Sequence, residues 1–169
     1  MLNNPKIEYA VYMLQGPIGL LSSVLIINTL MNRDIGKSAE RELVSILREE
    51  GFNAVRVPTS NSSPNPLPDI FATKGNILLG IECKSTWENK VRVKESQIRK
   101  LFEFLSMFTM DRIPIVAVKF KKIHRWKVYL PNRIEEIIVT LDNSIFLEEL
   151  LSEIKSFNAY YGSEIVKSL

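Results

Sequence analysis

The segment Ile77-Leu78-Leu79-Gly80-Ile81-Glu82-Cys83-Lys84 decides how this chain is read. It is an apolar run entered from Lys74-Gly75-Asn76 and ending in a carboxylate and an amine two positions apart. A run of this length behind a turn signal reads as a buried strand. Side chains alternate along a strand, so Glu82 and Lys84 share one face and Cys83 points to the other. Upstream, Pro64-Asn65-Pro66-Leu67-Pro68-Asp69-Ile70-Phe71-Ala72 delivers a second carboxylate, Asp69, to the start of another strand. A turn joining the two strands brings Asp69 beside Glu82.

Converging carboxylates repel each other unless a cation neutralises them, and hard oxygen ligands suit Mg²⁺ or Mn²⁺. An ion held there polarises a phosphoryl oxygen and acidifies its water. A neighbouring lysine orients that water or stabilises charge developing on phosphate. The pattern therefore suits phosphodiester cleavage. Taken alone, Glu-Xaa-Lys is more often a surface ion pair, and an aspartate after prolines more often caps a turn. Pro-Asp, a turn and Glu-Xaa-Lys in this order favour the site.

The 169 residues, 46% of them hydrophobic, are enough for one domain with a sizeable core. The formal net charge is only +3, but it is unevenly spread. Residues 84–133 carry 13 Lys or Arg against 4 Asp or Glu, an excess of nine positive charges. Residues 134–169 carry 2 against 7. A basic middle third is the footprint expected for a phosphate-backbone partner. The single cysteine excludes an intrachain disulfide and a cysteine-based zinc site, which fits a reducing, intracellular setting.

Residues 9–32 contain no charge and are numerous enough to span a bilayer. Gln15-Gly16-Pro17 interrupts them, however, and the strongly apolar part, Ile18 to Ile27, is short. A signal peptide needs a clearer basic start and a small-residue cleavage site. Residues 1–30 are therefore expected to be a hydrophobic extension ahead of a start at Met31, or an appendage, rather than a membrane anchor.

From Arg33 the chain acquires order. Ile35, Ala39, Leu43, Ile46 and Leu47 recur at helical spacing until Gly51. Glu40 and Arg41 lie beside this stripe. Phe52 to Val57 reads as a strand bearing Arg56, followed by a polar loop, Pro58 to Ser63. Residues 85–90 read as a connection containing Trp87. A helix is expected from Lys94 to Phe108, with Ile98, Leu101, Phe102, Leu105 and Phe108 on its stripe and Phe104 at the edge. Further strands are expected at Pro114–Phe120, entered at the proline, and at Arg125–Leu130, with a basic turn, Lys121 to His124, between them. Ile137 to Leu141 reads as an edge strand and Phe146 to Phe157 as an acidic amphipathic helix. His124 is the sole histidine, and no second ligand sits at a helical or strand spacing from it.

Taken together, Gly36-Lys37-Ser38-Ala39-Glu40-Arg41-Glu42-Leu43, Pro68-Asp69, Ile81-Glu82-Cys83-Lys84 and Val116-Ala117-Val118-Lys119-Phe120 resemble the archaeal Holliday junction resolvases of the PD-(D/E)xK nuclease superfamily. The resemblance runs from Met31 to about residue 155. The loop Ser60-Asn61-Ser62-Ser63-Pro64 looks closer to the Hje branch than to the Hjc branch. The resemblance implies an α/β fold with a mixed five-stranded central sheet flanked by helices, a restriction-endonuclease-like nuclease core. It places that nuclease domain at residues 31–158, with a tail at 159–169. It implies a structure-selective endonuclease that resolves four-way DNA junctions by paired nicks, with Mg²⁺ as cofactor and Mn²⁺ as a substitute.

Carried over by position, Glu40, Asp69 and Glu82 match the family's metal ligands. Lys84 matches the catalytic lysine, and Glu40 completes the site. A loop serine matches a residue near the scissile phosphate, with Ser62 preferred over Ser60. Arg41, Arg56, Ser60 and Lys119 fall on DNA-contacting positions. Phe104 and Phe108 fall where subunits pack in a homodimer. The implied partners are a four-way DNA junction, a second copy of the chain, and a sliding clamp or branch-migration helicase. A cytoplasmic protein working with the DNA, and no membrane, is expected. Two other readings are a different nuclease of the superfamily and a non-catalytic junction-binding protein.

Overall fold

The computed structural model describes residues 36–58 and 65–156. The chain divides into two units, residues 1–37 and 38–169. The site and its surroundings lie in the second. Residues 1–30, the serine loop and the tail beyond 158 lie outside the described residues. Among the described residues, no helix is long and apolar enough to cross a membrane.

Helix α1 covers residues 36–49. Gly51, at φ 83°, turns the chain out of it into β1 (Asn53–Arg56). Strands β2 (Ile70–Lys74) and β3 (Ile77–Thr86) form a hairpin around Gly75, which has φ 57°. Then come β4 (Lys90–Val93), helix α2 (Glu95–Ser106) and β5 (Asp111–Phe120). A 3₁₀ turn at Lys121–Ile123 leads to β6 (Arg125–Tyr129), with His124 at φ 51° between them. The remainder is β7 (Ile137–Thr140), β8 (Ile145–Phe146) and helix α3, residues 147–156.

Among the described residues, six strands make one sheet in the order β1-β2-β3-β5-β6-β8, while β4 and β7 pair separately. Only β3 and β5 run parallel among the pairs of the large sheet. Their crossover is made by β4 and α2, as a parallel connection requires. The expected mixed sheet with flanking helices is present. It has six strands rather than five because the two residues of β8 extend it beyond β6.

Alternation along β3 sorts the core. Ile77, Leu79, Ile81 and Cys83 face the layer built from α1 and α3, with Leu43, Leu47, Leu150 and Leu151. On the other face, Leu78 packs with Phe104 and Leu105 of α2. Val116, Val118 and Phe120 of β5 pack there with Ile98 and Leu101 of α2, Val93 of β4, and Ile137 and Val139 of β7. A Cβ on Gly80 would stand 3.0 Å from Leu105 Cγ, so the missing side chain lets α2 approach the central strand closely.

Several bounds differ from the sequence-based expectation. Strand β5 begins at Asp111, three residues before Pro114. The proline is tolerated because β6 pairs with β5 only from Val116 onward. Ile137–Thr140 is not an edge of the main sheet; it pairs with β4, a strand the charged sequence Lys90-Val91-Arg92-Val93 did not announce. Phe146 ends a strand instead of starting a helix, and its N–H donates to Glu149 at 3.1 Å, capping α3.

Candidate active site

The hairpin register does what the turn between β2 and β3 suggested. Ile70 lies opposite Ile81, so Asp69, one residue ahead of β2, stands across from Glu82. Asp69 is tied on both sides. Its backbone carbonyl accepts the Val57 N–H at 2.8 Å, and its Oδ2 accepts the Cys83 N–H at 2.8 Å. The carboxylate is thereby fixed to the strand that carries Glu82 and Lys84.

Glu82 is almost fully buried. Lys84 Nζ donates to its Oε1 at 2.6 Å. Burial, and next the negative charge of Asp69, push the Glu82 carboxyl above its ordinary range, and Lys84 and Lys100 only partly offset them. The neighbouring Cys83 thiol is pushed well up by burial, then by the charges of Asp69, Glu40 and Glu82. It stays protonated and packs in the α1–α3 layer, so it is not a nucleophile here.

Gln97, in the first turn of α2, also donates to Glu82 Oε1 through its side-chain amide. The oxygen of that amide accepts the Lys94 N–H at 3.2 Å. One side chain thus caps α2 and grips Glu82. Sequence reasoning missed it: glutamine three residues after the cap position is a helix-start signal, but its reach to Glu82 depends on where α2 docks.

Glu40 lies on α1, and its Oε2 accepts a hydrogen bond from Arg56 Nη1 of β1 at 2.9 Å. The structure therefore joins Asp69 with Glu82 and holds Glu40 in an ion pair. Among the described residues no three His, Cys, Asp or Glu side chains are gathered closely enough to hold a metal ion. The Asp69–Glu82 pair still has the chemistry for one, since two opposed carboxyl groups supply hard oxygen donors.

The expected DNA-contacting residues are spread around this centre. Arg41, Arg48 and Arg56, with Val44, Ser45 and Val55, line an open concavity of about 380 Å³ between α1 and β1. Lys119 instead donates to Glu42 of α1, which also accepts the Trp126 indole N–H at 3.1 Å. Burial raises the Glu42 carboxyl, but the hydrogen bonds from Lys119 and Trp126 and the Lys119 charge outweigh it and leave its pKa below the ordinary value. Ser60 and Ser62 lie outside the described residues.

Phe104 and Phe108 differ in setting. Phe104 is buried, with its ring 5.9 Å from that of Phe71 and 5.1 Å from that of Phe108. Phe108 is partly exposed next to the more exposed Met107. The outer surface at the end of α2 thus belongs to Met107 and Phe108, with Phe104 as their support.

Comparison with known proteins agrees with this geometry. The family model described as archaeal Holliday junction resolvase (Hjc) matches residues 31–158. The crossover junction endodeoxyribonuclease Hje of Saccharolobus islandicus is 78% identical over 120 residues, covering 71% of this chain and 89% of that protein. Its counterpart from Sulfolobus acidocaldarius is 76% identical over 123 residues, 73% of this chain and 88% of that protein. The solved structure of Archaeoglobus fulgidus Hjc, a Holliday junction resolvase, superposes with a TM-score of 0.60 at 25% identity, covering 69% of this chain and 99% of that one. Together with the paired carboxylates on the β2–β3 hairpin, the match shows that this chain belongs to the archaeal Holliday junction resolvase family.

Proposed function

We propose that the protein is a structure-selective endonuclease that resolves four-way DNA junctions by paired nicks in opposing strands. The observation that carries this reading is the opposition of Asp69 to Glu82, with Lys84 Nζ 2.6 Å from Glu82 Oε1, in a chain of this family. The family implies a divalent ion, and Mg²⁺, with Mn²⁺ as a substitute, is the choice that two hard carboxylates favour. Asp69 and Glu82 would hold it, and Glu40 would join them on release from Arg56. Once bound, the ion supplies positive charge to the scissile phosphoryl group and an acidified water.

The other roles belong to the chain. Lys84, anchored by Glu82, directs its ammonium at the attacking water or the phosphate oxygens. Gln97 keeps Glu82 in place. A loop serine, Ser62 in preference to Ser60, contacts the scissile phosphate. Arg41, Arg56, Ser60 and Lys119 track the backbone on either side, which fixes the DNA without reading its sequence. A homodimer built through the Phe108 end of α2, with Phe104 beneath it, presents two equivalent centres to the near-two-fold junction. Residues 31–158 form the nuclease domain in this reading.

The test is cleavage of an immobile four-way junction beside a linear duplex of the same sequence, with Mg²⁺ and with EDTA. Paired symmetric nicks on the junction alone, and only with metal, are expected. Equal cutting of both substrates would make the protein a general nuclease. Binding without cutting would make it a junction-binding protein.

A further inference from the structure

Trp87 has no part in the centre described above, yet it is 60% exposed. Tryptophan is rarely left so open, because it is the largest apolar side chain available for burial. It stands one residue beyond the end of β3 and three beyond Lys84. At the rise of an extended chain that is about 10 Å from the lysine. Strands β3 and β5 end side by side at Thr86 and Phe120, so the residues that follow them, Trp87 and Lys121, meet. Lys121 Nζ lies 5.4 Å from the indole centroid. Lys90 and Lys122, both exposed, follow β3 and β5 within a few residues, whereas Arg125 is paired with Glu148 at 3.5 Å and Asp142 lines a concavity with Glu88 and Lys90.

We infer that Trp87, backed by Lys121, is a stacking platform for a base at the branch point of the junction. The inference rests on the function proposed above. An exposed aromatic ring among cations is the recurring device for holding a base beside its phosphates. Continuous duplex offers no free base face, whereas base pairs end at the point of strand exchange. Trp87 follows the strand that carries Glu82 and Lys84, so one bound junction can meet both the ring and the Asp69–Glu82 centre. Sequence-independent stacking of this kind lets the enzyme sense the branch without reading bases.

The test uses the full-length protein, with W87A and W87F, and a junction carrying 2-aminopurine at the branch point, in EDTA. Wild type and W87F are expected to change the 2-aminopurine fluorescence on binding. W87A is expected to lose that change and to bind the junction on the order of tenfold more weakly, with its affinity for linear duplex unaltered. Because Trp87 is exposed, all three should melt at the same temperature. A W87A variant that gives the wild-type fluorescence change and affinity would overturn the inference, as would equal weakening on junction and duplex. So would conversion of W87A to a monomer in sedimentation, which would make Trp87 a subunit contact. Cleavage of the same junction by wild type with Mg²⁺ is measured in parallel. If wild type cuts the junction and W87A behaves like it, the platform fails and the enzyme stands; if wild type neither binds nor cuts, the functional reading itself fails.

Discussion

Glu82 is held where its charge is disfavoured. Its raised pKa means that the folded protein binds that proton more tightly than the unfolded chain does. Stability from this group is therefore present below the unfolded pKa and is lost as pH rises through the folded one. At neutral pH without metal the group is a burden, and Glu82→Gln should melt higher than wild type in EDTA. Cleavage by the same variant should fall at least about a hundredfold with Mg²⁺, while junction binding persists. A lower melting temperature, or a wild-type rate of cutting, would refute the assignment. Glu42 has the opposite sign. Its pKa lies below the ordinary carboxylate value, so its contribution is present at neutral pH and fades as pH falls through the acid range. Glu42→Gln should thus lower the urea midpoint at pH 7 and leave it nearly unchanged near pH 3. Both carboxylates of the Asp69–Glu82 pair were legible in the sequence, because strand alternation and a short turn fix their register. The Arg56 partner of Glu40 and the Gln97 grip were not, since each depends on the docking of a helix.

The elements explain how the centre is held in place. Helix α2 touches it twice, at Gln97 and through Leu105 over Gly80. Gly80→Ala would force Leu105 aside or lift α2, at a cost of about 1–3 kcal/mol, read as a lower denaturant midpoint with unchanged slope. Gln97→Ala leaves α2 without its cap contact and Glu82 with one donor fewer. It is expected to weaken Mn²⁺ binding measured by calorimetry as well as cleavage, whereas a purely structural role would lower the melting temperature and spare metal affinity. Elements with a strong period were legible: α1, β3, α2 and α3 stand close to where the apolar spacing puts them. Strand β4 was not, because its outward side chains are charged and its pairing with β7 is set by tertiary contact alone. Pro114 concealed the start of β5, because whether a strand position needs an N–H depends on where its neighbour ends.

At the scale of the molecule, the distribution of charge matters more than any one contact. The excess of nine positive charges over residues 84–133 predicts junction affinity that falls steeply and linearly on a log–log plot against salt. A flat salt dependence would place recognition elsewhere. If the homodimer proposed above forms through this end of α2, replacing Phe108 and Met107 together with glutamates should yield folded monomers by sedimentation, because neither side chain belongs to the core of one subunit. An intact dimer would move the subunit contact to another surface. The fold class was readable from the order of strands and helices; the number of strands was not, because a two-residue strand carries too little pattern.

The β2–β3 hairpin has a consequence for how the enzyme comes into being. Asp69 and Glu82 are 13 positions apart and are brought together by a tight turn, whereas β5 must wait for a crossover to finish before it pairs with β3. Local hairpins close in about 1–10 µs, and parallel pairing across a crossover is intrinsically slower. The two acids should therefore meet early, on a nascent hairpin that already carries Lys84 but has yet to receive Gln97 of α2. A divalent ion captured at that moment would act as a folding nucleus, and refolding rates would depend on metal before any DNA is present.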